Sequence, residues 1–258
     1  MTKEFIAFFI MASFFIPCVS AQDAGRRGRE IMIMADNRLE PESEISKMKM
    51  LLTDSRGKTR ERELKMLSLK MGETDYSMIF FLSPADVNGV GLLSIEEKGK
   101  DSDQWLYMPA LKKTRRIASS SKDENFMGTE FSYEDLEGRD PDDDTHTFLR
   151  EETLAGKKCW VVESVPRKES GYSKRIIWVE QESLLFIRVD FYNKSNSVSK
   201  RLISDIRKDG PYWTAYEMVM TDLEKNRSTK LTIVGIDYDS GLSTNNFTVG
   251  VLEQGRVP

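Results

Sequence analysis

From Glu44 onward the chain alternates apolar and polar residues in short runs, and the runs are separated by brief connections rich in Gly, Asp, Ser and Lys. A period of two over so much of a chain restricts it to half-buried β-strands, and the short turns make those strands antiparallel. In Glu44–Thr53, Met48, Met50 and Leu52 share one face while Lys47 and Lys49 share the other. Ser55-Arg56-Gly57-Lys58 forms a hairpin turn, and Thr59–Met71 returns as a long second strand. The outer half of that strand, Arg60-Glu61-Arg62-Glu63, is heavily charged; its inner half, Leu64-Lys65-Met66-Leu67, is not. The same reading predicts strands at Tyr76–Leu82, Gly91–Glu96, Gln104–Met108, Thr114–Ala118, Thr147–Glu152 and Lys158–Val165. It continues through Lys174–Val179, Leu184–Phe191, Ser197–Arg207, Trp213–Asp222 and Ser228–Tyr238. Strands in unbroken succession, with no helical pattern between them, predict a meander and exclude βαβ units.

One helix precedes the strands. Between Gly28 and Leu39, Ile31, Met34, Ala35 and Leu39 fall near one helical face, and Pro41 ends the run. A long antiparallel sheet left flat exposes one apolar face. Curling over the helix solves that, so the expected fold is mainly β: a single curved sheet forming an incomplete, half-open β-barrel around the N-terminal helix. Loose packing between helix and sheet would leave a hydrophobic cavity. The 13 Met and 13 Phe suit an adaptable interior of this kind.

Residues 1–21 read as a signal peptide, with an apolar run from Phe5 to Ile16, the breaker Pro17 and the small residues Val19-Ser20-Ala21 before Gln22. The run is shorter than the roughly 20 residues a membrane span needs. Cleavage after Ala21 leaves residues 22–258 as one exported domain for the periplasm. A lipid anchor on Cys18 is the minor alternative, because Pro17 is a poor residue before a lipidated cysteine. With Cys18 removed, Cys159 stands alone, so no internal disulfide is expected and the core must hold the fold. A net charge of −4 offers no concentrated basic face for nucleic acid.

Catalytic patterns are missing: the chain has no Gly-x-Ser-x-Gly, phosphate-binding loop, His-Glu-x-x-His or Cys-x-x-Cys. His146, the one histidine, follows Asp142-Asp143-Asp144. A metal site there competes with a plain solvated acidic turn, and the turn is favoured because charge runs usually face water. The expectation is a protein that is not an enzyme and uses no cofactor.

The densest mixture of character lies between Gln104 and Glu137. An aromatic strand containing Trp105 and Tyr107 stops at Pro109, and the basic hairpin Lys112-Lys113-Thr114-Arg115-Arg116 follows. Then come Phe126-Met127-Gly128 and the run Phe131-Ser132-Tyr133-Glu134-Asp135-Leu136. Lys112, Lys113, Arg115 and Arg116, with Tyr133 and Asp135, form a candidate docking surface for acidic headgroups or a partner's carboxylates. Protection of an edge strand explains the same cations equally well. The candidate cavity wall is Met48, Met50, Leu52, Met66, Met78, Phe80, Trp105, Tyr107, Trp178, Met218 and Met220; solid core is the alternative for each.

Together with Pro84-Ala85-Asp86-Val87-Asn88-Gly89, these motifs resemble the bacterial outer-membrane lipoprotein-sorting-like proteins. The similarity is to the LolA-like branch found beside resistance-nodulation-division exporters. It implies an incomplete barrel closed by lid helices, with a cavity for the acyl chains of a lipid or lipoprotein, in a monomeric periplasmic carrier. An inner-membrane exporter is the implied partner. The arginine that shuts the lid of the lipoprotein carrier has no counterpart assignable from sequence. A different class of function, an accessory or envelope-stress sensor subunit, would use the basic hairpin and Phe131–Leu136 as its interface.

Overall fold

The computed structural model describes residues 21–255. The signal peptide and Cys18 therefore lie outside the described residues, except for Ala21. A helix, α1 (Ala21–Asp36), precedes thirteen strands: β1 (Ser43–Thr53), β2 (Thr59–Met71), β3 (Thr74–Ser83), β4 (Gly91–Glu97), β5 (Asp103–Met108) and β6 (Lys113–Arg116), then β7 (Asp144–Leu154), β8 (Lys157–Pro166), β9 (Lys174–Glu180), β10 (Phe186–Tyr192), β11 (Val198–Asp209), β12 (Tyr212–Asp222) and β13 (Arg227–Tyr238). A one-turn helix, α2 (Val249–Leu252), follows near the C-terminus. No described helix is long and apolar enough to cross a membrane.

All thirteen strands form one antiparallel sheet, in the order β6-β5-β4-β3-β2-β1-β13-β12-β11-β10-β9-β8-β7. This is two meanders joined by the first and last strands. β1 pairs with β13 from Glu44↔Tyr238 to Thr53↔Ser228, with one bulge at Lys47/Met48. Consecutive strands β6 and β7 end up at opposite edges, and residues 117–143 connect them. The sheet does not close into a barrel.

Alternation divides the apolar residues between two faces. Met48, Met50, Leu52, Leu64, Ile79, Phe81, Leu92, Leu106, Ile177, Val189, Met220 and Leu231 meet in one cluster on the concave face. Their strand neighbours point outward into two smaller clusters. One contains Leu67, Met78, Phe80 and Leu93 under Phe247 and Leu252 of the C-terminal segment. The other contains Cys159, Val161, Ile176 and Trp178. At Gly91 a Cβ would stand 2.7 Å from Leu252 Cδ1, which shows how closely the tail lies on β4.

Helix α1 packs against β7 at the sheet edge. Gly28 permits the contact, since a Cβ there would fall 2.7 Å from the Phe148 amide nitrogen. The helix starts and ends earlier than its sequence pattern predicts, and it inserts Ile31, Met32 and Ala35 into the concave cluster. Met34 and Leu39, expected on that face, are 41% and 66% exposed. The helix ends at Asp36, so Leu39 no longer follows its periodicity, and Met32 occupies the position next to Ile31 on the buried side.

Candidate functional site

The connection from β6 to β7 crosses the concave face as a strap. It contains short 3-10 turns at Ser119–Ser121, Phe126–Gly128, Glu134–Leu136 and Pro141–Asp143, where the resemblance implied lid helices. Its centre is a tight reversal. Phe126 N donates to Phe131 O at 2.8 Å, and Thr129 Oγ1 donates to Phe126 O at 2.7 Å. Met127 and Gly128 both adopt left-handed backbone, at φ 47° and 72°. Ile117, Phe126, Phe131 and Tyr133 are thereby driven into the concave cluster, each no more than 5% exposed. Phe126 stacks on Phe81 at 5.6 Å and meets Tyr133 edge-on at 5.7 Å. The apolar space expected between helix and sheet is occupied in this conformation by the strap.

Polar groups from both meanders fasten it. Arg62 Nη1 donates to Met127 O at 2.8 Å, and its guanidinium lies 5.3 Å from the Phe81 ring. Gln104 Nε2 donates to Tyr133 O at 3.2 Å. Glu130 N donates to Thr229 Oγ1 at 2.9 Å, and Arg227 Nε reaches Glu130 Oε1 at 3.0 Å. From the second meander, Arg175 Nη2 donates to Glu134 Oε1 at 2.6 Å, Tyr172 OH to Asp135 at 2.9 Å, and Lys200 stands 3.5 Å from Asp135.

The ionisation of these groups follows their surroundings. Burial alone would raise Glu134, but Arg175, Ser170 and the Gly171 amide outweigh it and hold the carboxyl below its usual range. Burial, reinforced by Asp135, pushes the Tyr172 phenol well up. Burial also raises Tyr133, against the pull of Arg115. Among the described residues, Gln104 Oε1, Glu130 Oε2 and Arg175 Nη1 are buried without a hydrogen-bond partner. Each such atom costs about 1–3 kcal/mol. The fasteners therefore hold the strap without being fully satisfied by it.

The structure divides the predicted cavity wall. Met48, Met50, Leu52, Met66, Met218 and Met220 do line the concave face. Met78, Phe80, Trp105 and Tyr107 belong to the outer cluster beneath the C-terminal segment, and Trp178 to the other outer cluster. Phe80, for instance, lies between Ile79 and Phe81 and so faces the opposite way from both. Of the predicted docking residues, Lys112, Lys113, Arg115 and Arg116 are exposed. Tyr133 and Asp135 are not surface groups. Tyr133 is 4% exposed, and the Asp135 side chain is enclosed by Tyr172 and Lys200. Alternation does not reach a segment without strands, so the inward turn of this run was not readable.

Arg62, Glu130, Thr229 and Arg175 were missed. Arg62 is hidden in a run of alternating charges, and only its 8% exposure distinguishes it from Arg60. At the acidic turn, Asp142 pairs with Arg29 at 2.8 Å and Arg139 Nε donates to Asp144 at 2.9 Å. Both His146 nitrogens are engaged, with Ser164 Oγ at 2.8 Å and Pro141 O at 2.7 Å. No group of metal-binding side chains occurs among the described residues.

The described surface is indented on both sides of the sheet. One cleft of about 20 Å³ lies between Leu52, Arg60, Gly128, Glu130 and Arg227, where the strap reaches the sheet end. Another, about 300 Å³, lies on the far side by Lys157, Glu180 and Trp213.

Comparison with solved structures decides the family. The chain matches an outer membrane lipoprotein-sorting protein domain from Vibrio parahaemolyticus at 31% identity and a TM-score of 0.85, covering 89% of this chain and 99% of that one. The chain belongs to the outer-membrane lipoprotein-sorting-like family. A DUF1329 family protein from Desulfovibrio piger matches equally, at 31% identity, a TM-score of 0.85 and the same coverage. A LolA superfamily protein from Nitrosomonas europaea, 19% identical over 90% of this chain and 99% of that one, has a TM-score of 0.64 and shows that the fold is LolA-like. A family model described as "Uncharacterized protein" matches residues 73–254. A search of curated proteins finds no match.

Proposed function

We propose that this protein is a non-catalytic periplasmic carrier, residues 22–258 of an exported precursor, that holds the acyl chains of a lipid or lipoprotein against the concave face. The observation that carries this is the strap: an apolar insert over a Met-rich face, fastened by buried polar groups. Loading exchanges one apolar occupant for another. Withdrawing Ile117, Phe126, Phe131 and Tyr133 forfeits roughly 1.5–3 kcal/mol each, or about 6–12 in all. An acyl chain of about 14 methylenes returns roughly 11 kcal/mol at about 0.8 per methylene. The two nearly cancel, so exchanging strap for cargo is close to balanced in apolar burial.

Met48, Met50, Leu52, Met66, Met218 and Met220 are the proposed acyl contacts, since unbranched thioethers adapt to a flexible chain. Ferrying across the periplasm to or from a membrane exporter completes the reading. Its support is the Vibrio parahaemolyticus relative described as an outer membrane lipoprotein-sorting protein domain, together with the LolA-like fold. Native mass spectrometry of the protein drawn from its own periplasm tests it. Added mass in the range of a lipid or acylated peptide is expected. Protein that stays empty there, and takes up no fatty acid or phospholipid in vitro, would overturn it.

A further inference from the structure

The six strands of the first meander end in a segregated way. At one end lie the β1–β2, β3–β4 and β5–β6 connections, and at the other the β2–β3 and β4–β5 connections with the approach to β1. The first end carries Arg56, Lys58 and Arg60 on one hairpin and Lys112 and Lys113 on another. All five are exposed, and none forms an ion pair among the described residues. Asp54, Glu61 and Asp86 share that end, and Glu253 of the C-terminal segment reaches it, accepting from Thr114 Oγ1 beside Lys113 at 2.7 Å. Asp54 is taken by its own turn, accepting from the Arg56 and Lys58 amides at 2.9 and 3.0 Å. The other end carries Glu40, Glu42, Glu73, Asp75, Glu97 and Asp101 against Arg38, Lys70, Lys98 and Lys100. A chain of net charge −4 thus presents a basic rim.

Protection of a sheet edge does not explain this rim. It accounts for Lys113 on the edge strand β6, but β1 and β2 are paired on both sides and have no edge to protect. Apolar side chains sit among the cations. Leu111, at the β5–β6 tip, is 59% exposed, and Leu82, at the end of β3, is 37% exposed. β2 and β5 are three strand spacings apart, about 14 Å, so both basic tips reach one surface together. The strap's turn at Gly128 and Glu130 opens beside the same hairpin, in the small cleft lined by Leu52, Lys58 and Arg60.

We infer that this rim docks the protein onto an anionic phospholipid surface, with Arg56, Lys58, Arg60, Lys112 and Lys113 over the headgroups and Leu111 at the interface. Distributed cations with an exposed leucine between them suit a bilayer, whose charge is spread and whose boundary accepts apolar tips. Docking this way turns the strap's opening toward the membrane. That consequence rests on the carrier reading; the binding itself does not.

Flotation of mature protein with phosphatidylcholine vesicles, with and without about one-third phosphatidylglycerol, tests the inference. Binding to the anionic vesicles alone is expected, weakening as salt rises. Each cation contributes about fivefold, so Lys112→Gln/Lys113→Gln and Arg56→Gln/Lys58→Gln should each bind about 25-fold more weakly. Leu111→Ser should lose a few-fold, insensitively to salt. Lys98→Gln/Lys100→Gln, at the acidic end, should bind like the parent. Circular dichroism and denaturant unfolding show whether each variant is folded, and fatty-acid uptake measured without vesicles keeps the two ideas apart. Uptake without vesicle binding refutes the docking alone, and vesicle binding without uptake refutes the carrier alone. Equal loss from the acidic-end variant, or binding only when membrane proteins are reconstituted in the vesicles, also overturns the docking.

Discussion

The two covers of this sheet are held in different ways. The C-terminal segment lies on the outer face and is held by apolar contact: Phe247 and Leu252, 2% and 0% exposed, rest on Leu67, Met78, Phe80 and Leu93. The strap lies on the concave face and adds to its apolar anchors a set of buried polar fasteners, three of whose atoms lack a hydrogen-bond partner among the described residues. Hydrophobic contact is non-directional and is lost in proportion to the area uncovered. A buried ion pair or backbone hydrogen bond yields all at once when its partner moves, and its net worth is small because desolvation opposes it. The outer cover therefore belongs to the structure's permanent core. On the proposed carrier reading, the inner one is the cover that cargo exchanges for.

The largest expected effect is on the outer cover. Phe247→Ala should lower unfolding stability by about 3–5 kcal/mol, read from denaturant titration, while leaving amide exchange in the strap in its parental rank order. Selective loosening of the strap by this change would break the comparison.

Next comes Arg62→Ala, which removes the hydrogen bond to Met127 O and leaves that carbonyl to find another donor. A cost of about 1–3 kcal/mol is expected. It should appear mainly as faster exchange between residues 124 and 137 and faster fatty-acid loading, with a smaller change in global unfolding. An equal loss of global stability would mean the strap is core like the tail.

The last effect, smallest when read per pH unit, concerns pH. Glu96, half-buried where the strap ends at Glu137 and Gly138, has its carboxyl pushed up to about 8 by burial, then by Glu137 and Asp75. Its folded value lies above its unfolded one of 4.5, so the native state holds the proton more tightly. The stability this contributes is full below pH 4.5, declines through the interval and is lost as pH passes about 8. The slope should stay below about 1.4 kcal/mol per pH unit, and Glu96→Gln should flatten it. A pH profile of unfolding unchanged by that substitution would remove Glu96 from the account.

Much of the fold was legible because alternation is a local signal. All thirteen strands stand where the period of two put them, with ends shifted by a few residues. Their order was less legible, since β1 meets β13 across most of the chain and no local pattern records a long-range pairing. The same gap split the candidate wall. Met78 and Phe80 share a face visibly enough, but which face is concave depends on curvature. Residues 117–143 were the hardest to read. Their aromatics and acids were recognisable as unusual, yet the inward turn of Phe126, Phe131 and Tyr133 depends on left-handed backbone at Met127 and on partners such as Thr229 and Arg175, distant in sequence.

The most direct test is residue-resolved amide hydrogen exchange with and without a bound long-chain fatty acid. In the empty protein, the amides of Phe126, Glu130, Tyr133 and Glu134 are bonded to Phe131 O, Thr229 Oγ1, Glu124 O and Lys122 O. Of these, the Glu130 bond alone ties the strap to the sheet; the other three lie within the strap. If acyl chains replace the strap, Glu130 should lose protection on loading while the amides of β1, β2 and β13 keep theirs. Fatty acid bound with Glu130 still protected would contradict an exchangeable strap and place the cargo elsewhere on the protein.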